Sequence, residues 1–179
     1  MASVITATTT SGIVSSADNS GTLQLASGSG NLVTIPAVTG TAMVSGNMPA
    51  FSAYQSSAQT LSSATWAKLQ LQTEEFDTAN CFDSTTNYRF TPNVAGYYFF
   101  TAAFAINSSA TNTGVAFYKN GSQYKWPVYI NASAGNVTGA SCLAYANGTT
   151  DYFEVWVYAA TGQGLYASSG TTFFQGHMV

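Results

Sequence analysis

Beyond Pro49 the chain is written in short apolar runs that alternate with polar positions. The runs are Phe51 to Tyr54, Trp66 to Leu71, Tyr88 to Thr91, Gly96 to Ile106, Val115 to Tyr118, Gln123 to Ile130, Gly139 to Tyr145, Tyr152 to Ala159 and Phe173 to Val179. Turn residues bound them at intervals of roughly ten residues, the spacing of strands in all-β domains. Asn120-Gly121, Asn147-Gly148 and Gly162-Gln163-Gly164 are hairpin or turn signals, because Asn and Gly tolerate the positive φ of a tight turn. No segment sustains the 3.6-residue period of an amphipathic helix. Short strands in series, without an internal repeat, predict an all-β sandwich or jelly roll and exclude a propeller or solenoid.

The longest run carries a second message. At a period of two, Tyr97 and Phe99 point to one face of the strand and Tyr98 and Phe100 to the other. One face lines the sandwich core. The other is equally aromatic and needs a second cover, for which a neighbouring subunit is the simplest source.

Residues 1–49 follow a different pattern. Thr22 to Leu25 and Asn31 to Ile35 alternate as short strands between turns at Asn19-Ser20-Gly21 and Gly28-Ser29-Gly30. Aromatics are absent before Phe51, and Asp18 is the only charged side chain from Met1 through Ala67. So few Leu, Ile and Val residues do not offset a backbone ordering cost of ~1–2 kcal/mol per residue. The reading is therefore an assembly arm at 1–49 and a β-rich head at 50–179. The arm is expected to order against partner proteins by strand addition, through Leu23 and Leu25 or through Leu32, Val33 and Ile35.

Charge narrows the partners. With 4 Lys+Arg and 7 Asp+Glu among 179 residues, charged side chains make up only 6% of the chain, while 46% of it is hydrophobic and 14% aromatic. Four dispersed cations do not neutralise a run of phosphates, so nucleic acid and anionic membrane surfaces are excluded as electrostatic partners. The Gly96 to Ile106 run is about half the ~20 residues that a membrane-spanning helix needs. Low charge with apolar surface favours self-association or docking onto a larger body. Met1 to Val14 has neither a basic n-region nor a continuous apolar h-region, so no Sec signal is expected there. Cys81 and Cys142 have no second Cys nearby, which excludes a zinc knuckle or a CxxC pair and favours two mostly buried thiols.

Four landmarks in the second part bring a family into view. Phe90-Thr91-Pro92-Asn93-Val94-Ala95-Gly96-Tyr97-Tyr98-Phe99-Phe100 resembles the centre of the C1q/TNF-like jelly-roll domain, in which a Phe, a Pro, a Gly and an aromatic strand follow in that order. Val115 to Gly121 is similar to that family's strand and Lys-Asn-Gly turn. Asp151 to Val157, containing Trp156, is similar to its late acidic-aromatic strand, and Phe173-Phe174-Gln175-Gly176 to its closing Phe-x-Gly strand. The resemblance covers residues 50–179 and implies a compact homotrimer about a threefold axis. Core and trimer packing then fall to Phe90, Gly96, Tyr97, Tyr98, Phe99, Phe100, Phe104, Trp156, Phe173 and Gly176. Thr10 to Leu25 resembles stretches near the start of phage tail-fibre and other virion-surface proteins.

Candidate chemistry is sparse. His177 is the single histidine, no Gly-x-Ser-x-Gly elbow accompanies it, and neither Cys has a basic neighbour in sequence; a structural or exposed histidine is expected, and an enzyme ranks last. Glu74, Glu75, Asp77 and Asp83 are the weak candidates for a metal site. Together with Asn80 they offer oxygen donors, and the resemblance implies Ca²⁺ in some members, but the spacing is not that of an EF-hand, so a solvated loop is favoured. Five Asn-x-Ser/Thr sequons, at Asn107, Asn120, Asn131, Asn136 and Asn147, are read as turns. Tyr124, Trp126 and Tyr129, with Tyr145, offer faces suited to saccharide stacking, although packing is the commoner fate of such rings.

These readings converge on a trimeric phage virion-surface protein, a small fibre or receptor-binding head held by its arm to capsid or tail proteins and presented to a host-surface glycan or protein. Capsid decoration is the alternative and a soluble C1q-like lectin the second.

Overall fold

The computed structural model describes residues 23–27, 31–35 and 48–179, and the chain divides into two units, 1–42 and 43–179. In the first unit, β1 (Leu23–Ser27) pairs antiparallel with β2 (Asn31–Ile35), with Leu23 opposite Ile35 and Leu25 opposite Val33. The backbone positions expected to anchor the arm thus lie in one two-stranded ladder. The side chains of Leu23, Leu25, Leu32, Val33 and Ile35, and the rest of the expected arm before residue 48, lie outside the described residues.

The second unit continues with β3 (Ala50–Tyr54), β4 (Thr60–Leu61), β5 (Ala67–Lys68), β6 (Thr73–Asp77), β7 (Phe82–Asp83), β8 (Arg89–Phe90), β9 (Gly96–Ala105), β10 (Ala110–Lys119), β11 (Ser122–Ala132), β12 (Val137–Ala146), β13 (Phe153–Ala159), β14 (Gln163–Gly164) and β15 (Phe173–Met178). One sheet runs β11-β10-β13-β8-β7 with β5 also on β13, and the other runs β12-β9-β15-β3-β6. All of these pairings are antiparallel. The two sheets face each other across a phenylalanine core, the all-β sandwich expected from the alternation. Phe51 stacks on Phe90 at 4.3 Å, and Phe100 meets Phe153 at 4.7 Å, so rings from the two sheets interlock. Each such ring contributes about 1.5–3 kcal/mol by leaving water. β15 passes close enough to β9 that a side chain on Gly176 would collide with the Phe100 ring.

Local chemistry explains the connections. Asn120 and Gly121 adopt φ of 53° and 77°, a primed two-residue turn that matches the twist of β10 and β11. Pro127 lies within β11, at the edge of its sheet, where the missing N–H disrupts no interior ladder. At this end Lys119 Nζ lies 2.9 Å from Asp151 and donates to the Tyr145 carbonyl on the opposite sheet. Asn120 donates to the same carboxylate, and Asn120, Lys119 and the Asn147 N–H together hold Asp151 below the usual carboxylate range. Asn120 therefore closes a hairpin, as the sequence suggested, whereas Asn147 accepts from the Thr149, Thr150 and Asp151 amides in a turn that carries the chain from β12 to β13 on the opposite sheet.

Several boundaries differ from expectation. The Trp66 to Leu71 run shrinks to β5, because its buried members Leu69 and Leu71 fill the core without a ladder. Val115 to Tyr118 extends into β10, whose polar start, Ala110 to Gly114, hides the strand from hydropathy. Gln163-Gly164, expected as a turn, pairs with β4. The acidic segment is a strand, not a solvated loop: Glu74, Glu75 and Asp77 lie in β6 at a sheet edge.

Candidate interaction faces

Strand parity sorts the expected packing residues into distinct roles. Phe90, Tyr98, Phe100, Phe104 and Gly176 point inward and are buried. Tyr98 donates its hydroxyl to the Val94 carbonyl at 2.7 Å, and burial pushes its phenol up to about 12. Gly96 opens β9 against the Met178 side chain. Phe173 is half-buried at the start of β15. Trp156 belongs to the opposite sheet, stacked on Tyr118 at 4.7 Å, and so is separated from the β9 residues with which the sequence reading grouped it.

Tyr97 and Phe99 face outward, 57% and 39% exposed. The β9–β12 register places Tyr145 opposite Tyr97 and Leu143 opposite Phe99, and β15 brings His177 alongside Phe99. Leu143 and Val137 are each about half exposed on β12. Tyr97 and Tyr145 touch edge to face, with ring centroids 5.5 Å apart. Beside them a depression of about 280 Å³ is lined by Phe76, Phe99, Thr101, Gln175 and His177. The outer face of this sheet thus carries an apolar strip of Tyr, Phe, Leu and Val beside the polar Thr101, Gln175 and His177, the kind of patch that marks an interaction site.

The opposite sheet carries a different surface. Trp66, Trp126, Tyr129 and Tyr158 contact one another over Gly114, while Trp156 and Tyr118 stack farther along. The neighbouring Tyr158 hydroxyl raises the Tyr129 phenol. Tyr124 stands apart from this group beside Lys125, whose Nζ lies 5.2 Å from its ring centroid. Sequence pattern had pointed to Trp126 and Tyr129 but not to Trp66 and Tyr158. Those two arrive from β13 and from the β4–β5 loop, and only strand pairing brings them in. Lys68 and Glu154 form an ion pair at 2.6 Å next to the Trp156 indole, which donates to Glu154 at 3.0 Å.

The carboxylates considered for a metal do not converge. Glu74 accepts from Ser84, Glu75 from Ser52, and Asp77 from the Ala79 and Phe82 amides. Asp83 caps a turn by accepting from the Thr85, Thr86 and Asn87 amides, which holds it well below the usual carboxylate range. Among the described residues no three His, Cys, Asp or Glu side chains are grouped for a metal ion. Cys81 and Cys142 are free thiols, and burial raises both, Cys142 to about 12, so neither has nucleophile character at neutral pH. His177 is exposed against Phe99 rather than paired with a nucleophile.

Compared by sequence, the chain matches no family model and no curated protein. Solved structures do match. Murine APRIL superposes with a TM-score of 0.58 at 11% identity, covering 74% of this chain and 99% of that one. The globular domain of zebrafish Complement 1qA gives 0.50 at 14% identity over 73% and 96% of the two chains, and Eiger TNF from S. frugiperda gives 0.50 at 11% over 74% and 91%. The head has the C1q/TNF-like jelly-roll fold. At these identities the likeness concerns fold alone, and the faces above carry the functional argument.

Proposed function

We propose that the protein is a homotrimeric structural and binding protein of a phage virion, with the jelly-roll head as a small fibre or receptor-binding tip and residues 1–49 as its anchor on the particle. The observation that carries the self-association is the outer face of β12, β9 and β15, where Tyr97, Phe99, Leu143, Tyr145 and Val137 meet water without a cover. Apolar area of this kind is stabilised by a partner surface at roughly 25 cal/mol per Å² removed from water. A threefold ring joins unlike parts of the same face, a heterologous contact that closes on itself. The absence of free carboxylate clusters and activated thiols among the described residues favours binding over catalysis.

The virion assignment is supported by the resemblance of Thr10 to Leu25 to virion-surface arms and by a low charge content suited to permanent assembly. Light scattering on the purified chain tests the trimer, with a mass three times 18.7 kDa expected. A monomer stable at micromolar concentration would count against it. Deleting residues 1–48 tests the anchor: the head should stay folded and trimeric yet no longer attach to particles. Truncated heads that still occupy particles fully would refute the division into anchor and head. Attachment of the full chain to capsid shells rather than to tails would make the protein a decoration protein.

A further inference from the structure

The outer face of the β10–β13 sheet carries a surface that the proposed self-association leaves free. Gly114 lies opposite Tyr129 of β11 on one side and Tyr158 of β13 on the other. A Cβ there would stand 2.9 Å from the Trp66 ring and 3.2 Å from both Trp126 Nε1 and the Tyr129 ring, so the missing side chain lets the rings settle onto the backbone. They form a closed cycle. Trp66 meets Trp126 at 5.4 Å, Trp126 meets Tyr129 at 5.1 Å, Tyr129 meets Tyr158 at 5.6 Å, and Tyr158 returns to Trp66 at 5.4 Å. Two of these contacts are nearly perpendicular, at 89° and 84°, so ring edges brace neighbouring faces. Trp126 is further fixed by donating its indole N–H to the Val128 carbonyl at 3.0 Å. The rings are therefore set before a ligand arrives, and ordering them costs little on binding.

The chemistry of the cycle selects its occupant. Every member is Trp or Tyr, an apolar ring with a polar edge, and Trp126 and Tyr129 remain nearly half exposed. Lys68 and Glu154, on the same sheet, neutralise each other, so no unpaired charge of theirs calls for an ionic ligand. The rim is neutral and hydrogen-bonding. Ser63 and Thr65 precede Trp66 in the β4–β5 loop and donate their hydroxyls to the Ala160 and Ser63 carbonyls, which leaves their oxygens as acceptors, and the bonds from Ala64 N–H to the Ala159 carbonyl and from Ala160 N–H to the Asn112 carbonyl bring Asn112 alongside. A surface with aromatic faces, hydroxyl edges and no net charge is complementary to an uncharged ligand with C–H groups on its faces and hydroxyls around its edge. A pyranose ring has that form.

We infer that the Trp66–Trp126–Tyr129–Tyr158 cycle is a saccharide platform for neutral hexopyranose glycans, with the indoles stacking on sugar faces and the two phenols bonding sugar hydroxyls. This deepens the reading of the head as an attachment module, and it rests on that reading only for multivalency, since three platforms per trimer raise apparent affinity without any new contact.

The test titrates the full-length protein with chitotetraose, cellotetraose and maltotetraose, using sialyllactose as the charged control. Calorimetry and tryptophan fluorescence read binding, and light scattering reads mass on the same samples. At least one neutral tetrasaccharide should bind and shift indole emission. Trp126→Ala and Trp66→Ala should weaken that binding tenfold or more at unchanged mass. Tyr129→Phe, which keeps the ring and removes only the hydroxyl, should weaken it severalfold and serves as the reference if an alanine variant fails to fold. Binding of none of the neutral sugars, binding of sialyllactose alone, or wild-type affinity in the folded variants would each overturn the platform. If the chain runs as a monomer while the variants still lose binding, the trimer reading fails and the platform stands.

Discussion

The two outer faces of the sandwich are both aromatic, yet they solve the problem of exposed rings differently. On the β10–β13 sheet the rings cover one another: Trp66, Trp126, Tyr129 and Tyr158 form a cycle, and Tyr118 stacks on Trp156 above an ion pair. On the β9–β12 sheet Tyr97 touches Tyr145, but Leu143, Val137 and Phe76, the last lining a depression, stand about half exposed. Trp and Tyr with polar edges are compatible with water and with a small polar ligand. Leu, Val and Phe are not, and their free energy falls only against another apolar surface. Amphipathic rings suit a surface that meets water between contacts, and aliphatic neighbours suit one that is covered.

The largest effect comes from breaking what the faces share. Phe100 contacts Phe51 and Phe174 on its own sheet and Phe90 and Phe153 across the sandwich, so Phe100→Ala should cost about 3–5 kcal/mol. Urea unfolding measures this, and a loss below 1 kcal/mol, an order-of-magnitude threshold, would mean the sheets are not held together there.

A smaller effect sharpens the contrast from the ligand side. Lys68→Ala leaves the buried Glu154 carboxylate with the Trp156 indole but without its cation. Because the lysine is partly exposed, the expected cost is about 1–3 kcal/mol, accompanied by a change in tryptophan fluorescence at unchanged oligomeric mass. A lower mass would show that the two faces are coupled.

The smallest effect is set by pH. Asp151 titrates below its unfolded value of about 3.9 because Asn120 and Lys119 bind its charged form. Its contribution is therefore present above that pH and fades as acid takes the folded protein through the depressed value. Asp151→Asn should lower stability by about 1 kcal/mol at neutral pH and by less in acid. Equal loss at both pH values would show that the carboxylate's charge is not what holds the two turns together.

Much of this comparison was legible in the chain. Period-two alternation in Gly96 to Ile106 separates Tyr98 and Phe100 from Tyr97 and Phe99, because one strand of a sandwich has one inner and one outer side. The Asn120-Gly121 turn was legible for the same local reason. Four short strands were not. β4, β6, β7 and β14 are two to five residues long with too little alternation to read, and β4, β6 and β14 are held by partners distant in sequence. The ring cycle was half legible: Trp126 and Tyr129 share β11, but Tyr158 joins only through the pairing of β10 with β13, and Trp66 only through the pairing of β5 with β13. The weak metal candidates Glu74 and Glu75 are adjacent in sequence, but alternation along β6 sends their carboxylates to different partners, Ser84 and Ser52.

The central claim is that one face holds subunits together while the other stays free. The most direct measurement compares the light-scattering mass of two single-charge variants, Leu143→Arg on β12 and Trp126→Arg on β11, each checked for a cooperative unfolding transition. Both side chains are about half exposed, so either substitution places a charge at a surface rather than in the core. The account predicts that Leu143→Arg reduces the mass to that of one 18.7 kDa chain, while Trp126→Arg keeps the trimer. A trimer that survives Leu143→Arg, or one that falls apart with Trp126→Arg, would contradict it.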